Sequence, residues 1–306
     1  MRDGQDKIAP LPPFHQDENE RMKAILRDAC YGCVVLFVWA ATSTTIAAAE
    51  PSDLLIDVQR GTLPIVMSAP HGGTIDAPGV PHRKNIDAER FVTGIDGNTL
   101  ELAHKIADAV EKELGGKPYF TFARFRRRHL DANRSAEHAY EVPAAKFYYD
   151  EYHGTLTEYC REVQNQFGAG LFIDVHGQNA YPDEVLVGTV GGETVKLLRQ
   201  RFGDESLVGR NGVVGFLRSA GLKTMPAIDA TEFNLPRFNG GYTVQSYGSH
   251  KPIGIDAVQF EYGGTYRQTE KLDDTAKRTA AAIAKFYREY LPQKPQAEKK
   301  SSAATP

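Results

Sequence analysis

The chain has 306 residues, 41% apolar and 25% charged, and a formal net charge of -3, which gives material for one large core or two small ones. Basic and acidic residues stand at 36 against 39. That balance argues against a nucleic-acid binder or a membrane-coating protein, both of which need an excess of one sign. Of three cysteines, Cys30 and Cys33 form a C-x-x-C, but no second pair follows and both sit in an apolar run, so no zinc or redox centre is assigned to them.

That run, from Ala29 to Ala49, is preceded by Arg21, Lys23 and Arg27 and ends in Ala47, Ala48 and Ala49. Basic flank, apolar stretch and small-residue site together predict a secretory signal peptide cleaved near Ala49, and export to a periplasm or medium. Met22 would give a signal of conventional length. The competing reading is an uncleaved anchor, since about 20 apolar residues span a bilayer; small and hydroxylated residues in the second half of the run favour cleavage. Residues 50–291 then form one domain with no stable membrane association, and 292–306, rich in Pro, Lys, Ala and Ser, form a disordered tail.

Residues 50–61 read as a lead-in. Leu63 to Pro70 is a short apolar run stopped by His71-Gly72-Gly73, which predicts a buried strand ending in a tight loop. Residues 74–95 read as a surface loop. Asp96 opens a helix in which Leu100, Ala103, Ile106, Ala107, Val110 and Leu114 recur at helical spacing before Gly115. Tyr119 to Ala123 is the next strand, followed by a basic segment to Arg134. A long helix fits 143–166, and Leu171 to His176 is a second buried strand broken by Gly177. Glu184 to Val190 reads as a strand and Glu193 to Phe202 as a helix. Residues 205–250 are Gly-rich and carry no clear period. Asp256 to Tyr262 is another strand, and 273–290 is an amphipathic helix with Ala280, Ile283, Ala284 and Tyr287 on one face. Strands alternating with helices predict a three-layer α/β/α fold with a mixed, largely parallel sheet, whose sites gather beyond the carboxyl ends of its strands.

Three of these strands end in chemistry-bearing residues. His71 follows an apolar strand and precedes two glycines, and neutral imidazole is the commonest zinc ligand. Asp174-Val175-His176-Gly177 repeats the arrangement; in a strand, Asp174 and His176 share a face, so the carboxylate can orient the imidazole. Asn133-Arg134 offers an amide and a planar fork suited to a carboxylate, after a cluster that includes Arg127. Glu261 stands near the end of an otherwise buried strand, where an unpaired carboxylate is costly unless it meets a cleft or a cation.

In their order, SAPHGG from Ser68 to Gly73, LDANR from Leu130 to Arg134, DVHG from Asp174 to Gly177 and VQFE from Val258 to Glu261 resemble the N-formylglutamate amidohydrolase family, which is related to the zinc carboxypeptidases. The resemblance spans roughly residues 63–290. It implies a phosphorylase/hydrolase-like fold, one zinc ion (Zn2+) per chain, and hydrolysis of an amide in a small substrate bearing a free carboxylate. By position it makes His71 and His176 metal ligands and Glu261 the general base, with Asn133, Arg134 and Arg127 on the substrate. Zinc carboxypeptidases take a carboxylate ligand three residues after the first histidine, and here Thr74 stands there. Asp96 is the replacement expected, with Asp76, Asp87 and Glu89 in reserve. An exported carboxypeptidase or cell-wall peptide amidase would use the same site, and a metal-free binding protein for acidic ligands is the non-enzymatic alternative.

For export, N-terminal sequencing of protein from its native host is expected to read a chain beginning near Glu50. A membrane-bound form retaining residues 22–49 would reverse the assignment.

Overall fold

The computed structural model describes residues 55–84, 91–235 and 237–292. The expected signal peptide, the tail from residue 293 and the reserve ligands Asp87 and Glu89 lie outside these. Elements follow in the order β1 (Ile56–Gln59), β2 (Ile65–Ala69), α1 (Thr99–Leu114), β3 (Tyr119–Ala123), α2 (Ala136–Ala139), α3 (Pro143–Phe167), β4 (Leu171–Gln178), β5 (Val185–Gly188), α4 (Lys196–Phe202), α5 (Glu205–Val208), α6 (Val213–Ser219), β6 (Thr224–Met225), α7 (Tyr242–Tyr247), β7 (Asp256–Gly263) and α8 (Leu272–Tyr290).

The strands form a seven-stranded sheet in the order β1-β3-β2-β4-β7-β5-β6. Its centre, β3-β2-β4-β7, is parallel, and β1 and β5 run antiparallel to their inner neighbours. This is the mixed, largely parallel α/β arrangement that the sequence predicts. The lead-in contains β1, a four-residue edge strand whose Asp57 and Gln59 are only partly buried. Helix α1 starts at Thr99, later than expected: Asn98, in the left-handed region at φ 63°, precedes it, and the Asp96 carbonyl receives the Thr99 hydroxyl at 2.7 Å. Strand β4 continues through Gly177 to Gln178.

Period-two alternation divides each central strand between two cores. Ile65 and Met67, Ile173 and Val175, and Val258 and Phe260 face a core shared with α1, α6 and α8. Val66, Phe172 and Ala257 face the other core, which α3 and α7 cover. The same alternation turns Ser68, Asp174, His176, Gln259 and Glu261 toward the α3/α7 side. Register aligns them: Ser68 pairs with Asp174, Asp174 with Gln259, and His176 with Glu261. Among the described residues no helix is long and apolar enough to cross a membrane.

Helix α3 begins on Pro143 and ends on Gly168 at φ 73°, and buries Ala145, Tyr149, Tyr152, Leu156, Tyr159, Cys160 and Val163 along one stripe. Its polar residues hold the segment that carries the LDANR motif. The Tyr149 hydroxyl donates to the Arg134 carbonyl at 2.9 Å, and His153 Nε2 donates to the Ala132 carbonyl at 2.9 Å. His153 Nδ1 faces the Tyr247 hydroxyl, also at 2.9 Å, so both ring nitrogens are engaged while the ring is neutral. Burial pushes its pKa down to about 4, against about 6.5 in an unfolded chain.

The unfolded state therefore binds more protons between about pH 6.5 and pH 4, and stability falls as pH is lowered through that window. Melting temperatures in chelator, taken from pH 7.5 to pH 5, are expected to fall less steeply for His153→Gln than for the native chain. Equal slopes would assign the acid sensitivity to other groups.

Candidate metal centre

His71 leaves β2 at its carboxyl end, and β2 lies beside β4, which carries His176. The two rings meet edge to face, with centroids 4.7 Å apart. Both are 2% exposed. Gly72 and Gly177 are required here by close approach. A Cβ on Gly72 would stand 2.3 Å from the Leu100 amide nitrogen, and one on Gly177 would stand 2.6 Å from the Arg267 guanidinium. Either clash would move a histidine.

The loop after His71 returns to the same place. The Asp96 N–H donates to the His71 carbonyl at 3.0 Å, and the Gly177 N–H donates to Asp96 Oδ2 at 3.1 Å. Asp96 is thereby pinned between two strand ends, with its side chain turned to the histidines and away from the helix behind it. Asp76 is exposed and pairs with Arg126, Arg128 and His129, which separates it from this group.

Each ring is oriented from behind. His71 Nε2 lies 2.7 Å from Asp131 Oδ1 and His176 Nε2 lies 2.8 Å from Asp174 Oδ2, so in the neutral rings the Nε2 hydrogens go to these carboxylates. Both Nδ1 atoms then present lone pairs to one oxygen, Asp96 Oδ2, each at 3.4 Å. For a charge-assisted hydrogen bond, usually about 2.7–2.9 Å, that is long. It matches the edge of a tetrahedron: two donors about 2.1 Å from one ion stand about 3.4 Å apart. The three ligand atoms all lie within 4.8 Å of one another, and His71 Nδ1 is buried without a hydrogen-bond partner. His71, Asp96 and His176 thus fit a divalent ion with an imidazole-imidazole-carboxylate donor set.

The electrostatics agree. Burial opposes ionisation of Asp96, but His71 and His176 outweigh it and hold the carboxyl well below its usual range. Asp131 is fully buried and likewise held low, because His71 and Arg127 overcome the burial. For His176 burial resists protonation, and Asp174 and Asp96 more than offset it. A divalent ion at the Nδ1 atoms would compete with protons for the same lone pairs. Glu261 is shifted the other way: burial raises its pKa, His176 opposes that, and Asp96 adds to it. Its Oε1 accepts from Gln259 Nε2 at 2.8 Å.

All seven residues singled out from the sequence line one cleft of about 1110 Å³: His71, Asp96, Arg127, Asn133, Arg134, His176 and Glu261. Their engagements differ. The Asn133 oxygen accepts from the Thr243 N–H at 2.8 Å and hydroxyl at 3.0 Å, and its amide nitrogen lies 3.4 Å from His176 Nε2. Arg127 Nε donates to Asp131 Oδ2 at 2.8 Å, and its Nη1 reaches to 3.9 Å from Asp96 Oδ1. Arg134 Nη1 donates to the Asn133 carbonyl at 2.8 Å.

Three contributors were not assigned from the sequence. Asp131 stood inside the LDANR motif without a role. Arg267 donates to the carbonyls of Tyr262 at 3.0 Å, Gln178 at 3.1 Å and Gly97, and to Asn179 Oδ1 at 2.9 Å, clamping the ends of β4 and β7 to the loop that bears Asp96. Arg237 also lines the cleft. The Pro/Gly context of the two arginines gave no signal.

No protein-family model and no curated protein matches the chain. Among solved structures, an N-formylglutamate amidohydrolase from Ralstonia eutropha JMP134 superposes with a TM-score of 0.51 at 17% identity, covering 77% of this chain and 98% of that one. A gene product of Agrobacterium tumefaciens gives 0.47 at 14% identity, over 77% and 92% of the chains. A bacteriophage poly-gamma-glutamate hydrolase gives 0.38 at 18% identity, over 76% and 89%. The Ralstonia protein has the same fold.

Removing a ring's own ligand atom differs from removing its support. His71→Ala and His176→Ala are expected to abolish divalent-metal binding. Asp131→Asn and Asp174→Asn should keep it and weaken it about 10–100-fold. Competition against a chelator measures both; unchanged affinity in the asparagine variants would separate these carboxylates from the metal centre.

Proposed function

We propose that this protein is a zinc-dependent hydrolase that cleaves the amide of a small N-acylated amino acid bearing a free carboxylate, an activity like that named for the Ralstonia protein of the same fold. The reading is carried by one observation: two carboxylate-supported imidazoles converge on one Asp96 oxygen, each at 3.4 Å, beside a buried glutamate. Nitrogen and oxygen donors in this number leave a fourth position open, as catalytic zinc sites do. A zinc ion there supplies Lewis acidity, polarising a carbonyl and lowering the pKa of water to about 7.

The protein's residues do the rest. Glu261 stands one strand from His176 and in register with it, and Gln259 holds its Oε1. Its Oε2 takes the proton of the attacking water and passes it to the leaving amine. Burial raises the Glu261 pKa, in the direction that brings a carboxylate closer to the working pH. Arg127, beside Asp96, meets the developing charge on the carbonyl oxygen. Arg134 holds the substrate carboxylate and fixes the distance from that anchor to the scissile bond.

A second reading keeps the chemistry and enlarges the substrate. The cleft, about 1110 Å³, is just above the range of about 300–1,000 Å³ typical for drug-sized ligands, which favours a peptide end over a single amino acid. The N-terminal apolar run supports work outside the cytoplasm, where an exported carboxypeptidase or cell-wall peptide amidase would act.

Glu261→Gln keeps the shape and loses the base. Zinc content is expected to stay at about one per chain, while turnover of N-acylated amino acids or short peptides falls about 10²–10⁴-fold. A Glu261→Gln enzyme of native activity would remove the residue from the mechanism. A native protein that holds no zinc and hydrolyses neither substrate class would support the binding-protein alternative.

A further inference from the structure

The cleft lies across the ends of four neighbouring strands: Arg127 follows β3, His71 follows β2, His176 stands on β4 and Glu261 on β7. The two histidines occupy the middle, so the flanks face different halves of a substrate. Glu261, which passes its proton to the leaving amine, places the amine half over β7. The acyl half then extends the other way, over β2 and β3.

Residues 91–97 border that second flank and are held at both ends. The Asp96 N–H donates to the His71 carbonyl at 3.0 Å. The Val92 carbonyl accepts from Arg83 Nη2 at 2.7 Å. Arg83 is buried, and the same nitrogen donates to the Arg127 carbonyl at 3.0 Å, which ties Val92 to the segment that follows β3. Phe91 turns back onto Arg83, whose guanidinium carbon lies 5.0 Å from its ring centre. Val92 and Ile95 instead line the cleft, and they are 42% and 40% exposed. Of the large apolar side chains that are exposed among the described residues, these are the two that line the cleft, and Ile95 directly precedes the metal ligand Asp96. Exposed apolar residues scattered singly are ordinary. A pair fixed on one flank of a cleft, beside the reacting centre, matches the apolar lining of ligand sites.

We propose that Val92 and Ile95 form an acyl-binding subsite and that the acyl group is an alkyl chain of several carbons. This rests on the hydrolase reading and narrows it: the substrate is an amino acid acylated by a hydrocarbon chain, which water divides into an alkanoate and the free amine. A formyl group has no carbon beyond the scissile carbonyl and leaves both side chains in water. An alkyl chain laid against them removes apolar surface on both sides of the contact, worth about fourfold in affinity for each methylene fully buried.

The test measures kcat/KM on the N-acetyl and N-hexanoyl derivatives of alanine, leucine and glutamate, whose scissile amides have similar intrinsic reactivity. The native enzyme is expected to prefer hexanoyl to acetyl by about tenfold or more on a given amine. In the double variant Val92→Thr, Ile95→Asn that ratio should fall by about fivefold or more, and Val92→Leu should keep it. Zinc content and melting temperature are measured on each variant, because Ile95 adjoins Asp96. Where Ile95→Asn loses zinc, Val92→Thr alone, of nearly the same shape, decides by the same ratio. A native ratio near one, a ratio that the variants leave unchanged, or a fall in the leucine-to-alanine preference in its place would overturn the subsite and leave the hydrolase reading intact. If the native protein hydrolyses none of these amides, calorimetry with N-hexanoylglutamate and N-acetylglutamate decides. Tighter binding of the hexanoyl compound that the double variant loses keeps the subsite and sinks the hydrolase reading. Equal binding of the two, or none, sinks the subsite.

Discussion

A histidine offers a lone pair to a cation only from the nitrogen that carries no proton, so the group that holds the other nitrogen's proton decides how the ring binds. Here that group is a fully buried carboxylate in both cases. Asp131 and Asp174 are each 0% exposed, and a bare charge at such depth is costly. Both are supplied with donors. Asp131 receives the Arg127 guanidinium at 2.8 Å and the Asn133 N–H at 3.0 Å besides His71, and Asp174 receives the Ser68 hydroxyl at 2.5 Å besides His176. Satisfied in this way, the two carboxylates act as fixed walls. The imidazoles stand between them and Asp96, with both lone pairs turned to one oxygen.

The fold delivers this geometry with few elements. Neighbouring strands lie about 4.8 Å apart, so two residues in register on β4 and β7 are within reach of one small molecule, and His176 and Glu261 are such a pair. His71 needs only the adjacent strand. Asp96 arrives after a long loop, and two hydrogen bonds, its N–H to the His71 carbonyl and the Gly177 N–H to its Oδ2, do the work that a fixed sequence spacing would otherwise do. That is why Thr74, three residues after His71, can lack a carboxylate without loss to the donor set.

What could be read from the sequence follows from this division. His176, Glu261 and the supporting role of Asp174 sit on buried strands, where a period of two fixes the face, and His71 follows a buried strand just ahead of two glycines. Asp96 could be named only from its place at a loop-to-helix junction, since loop residues carry no period. Asp131 was hidden by its neighbours: it stands in a basic segment from Arg124 to Arg134 whose arginines drew the assignment, yet Arg127 and Asp131 are buried together. Residues 205–250 resisted assignment because their helices are short, from four residues in α5 to seven in α6, and two turns or fewer leave too little periodicity to detect. Strand β1 escaped for the same reason.

The arginines show how the site separates its two tasks. Holding the donor set demands compensation for buried carboxylates and rigid joints between segments that are distant in sequence, and a guanidinium does both: Arg127 neutralises while Arg267 joins three backbone segments with one planar group. A lysine has three donors on a single nitrogen and no plane to reach in three directions. Because these cations are already engaged by the protein, they bring the cleft their field and only the donors left over, in Arg127 those of its terminal nitrogens. Selectivity for an anion must then come from guanidinium groups that face the cleft with donors to offer. Such groups belong on the loops that rim the sheet, since loops can vary without disturbing the strands that carry the histidines.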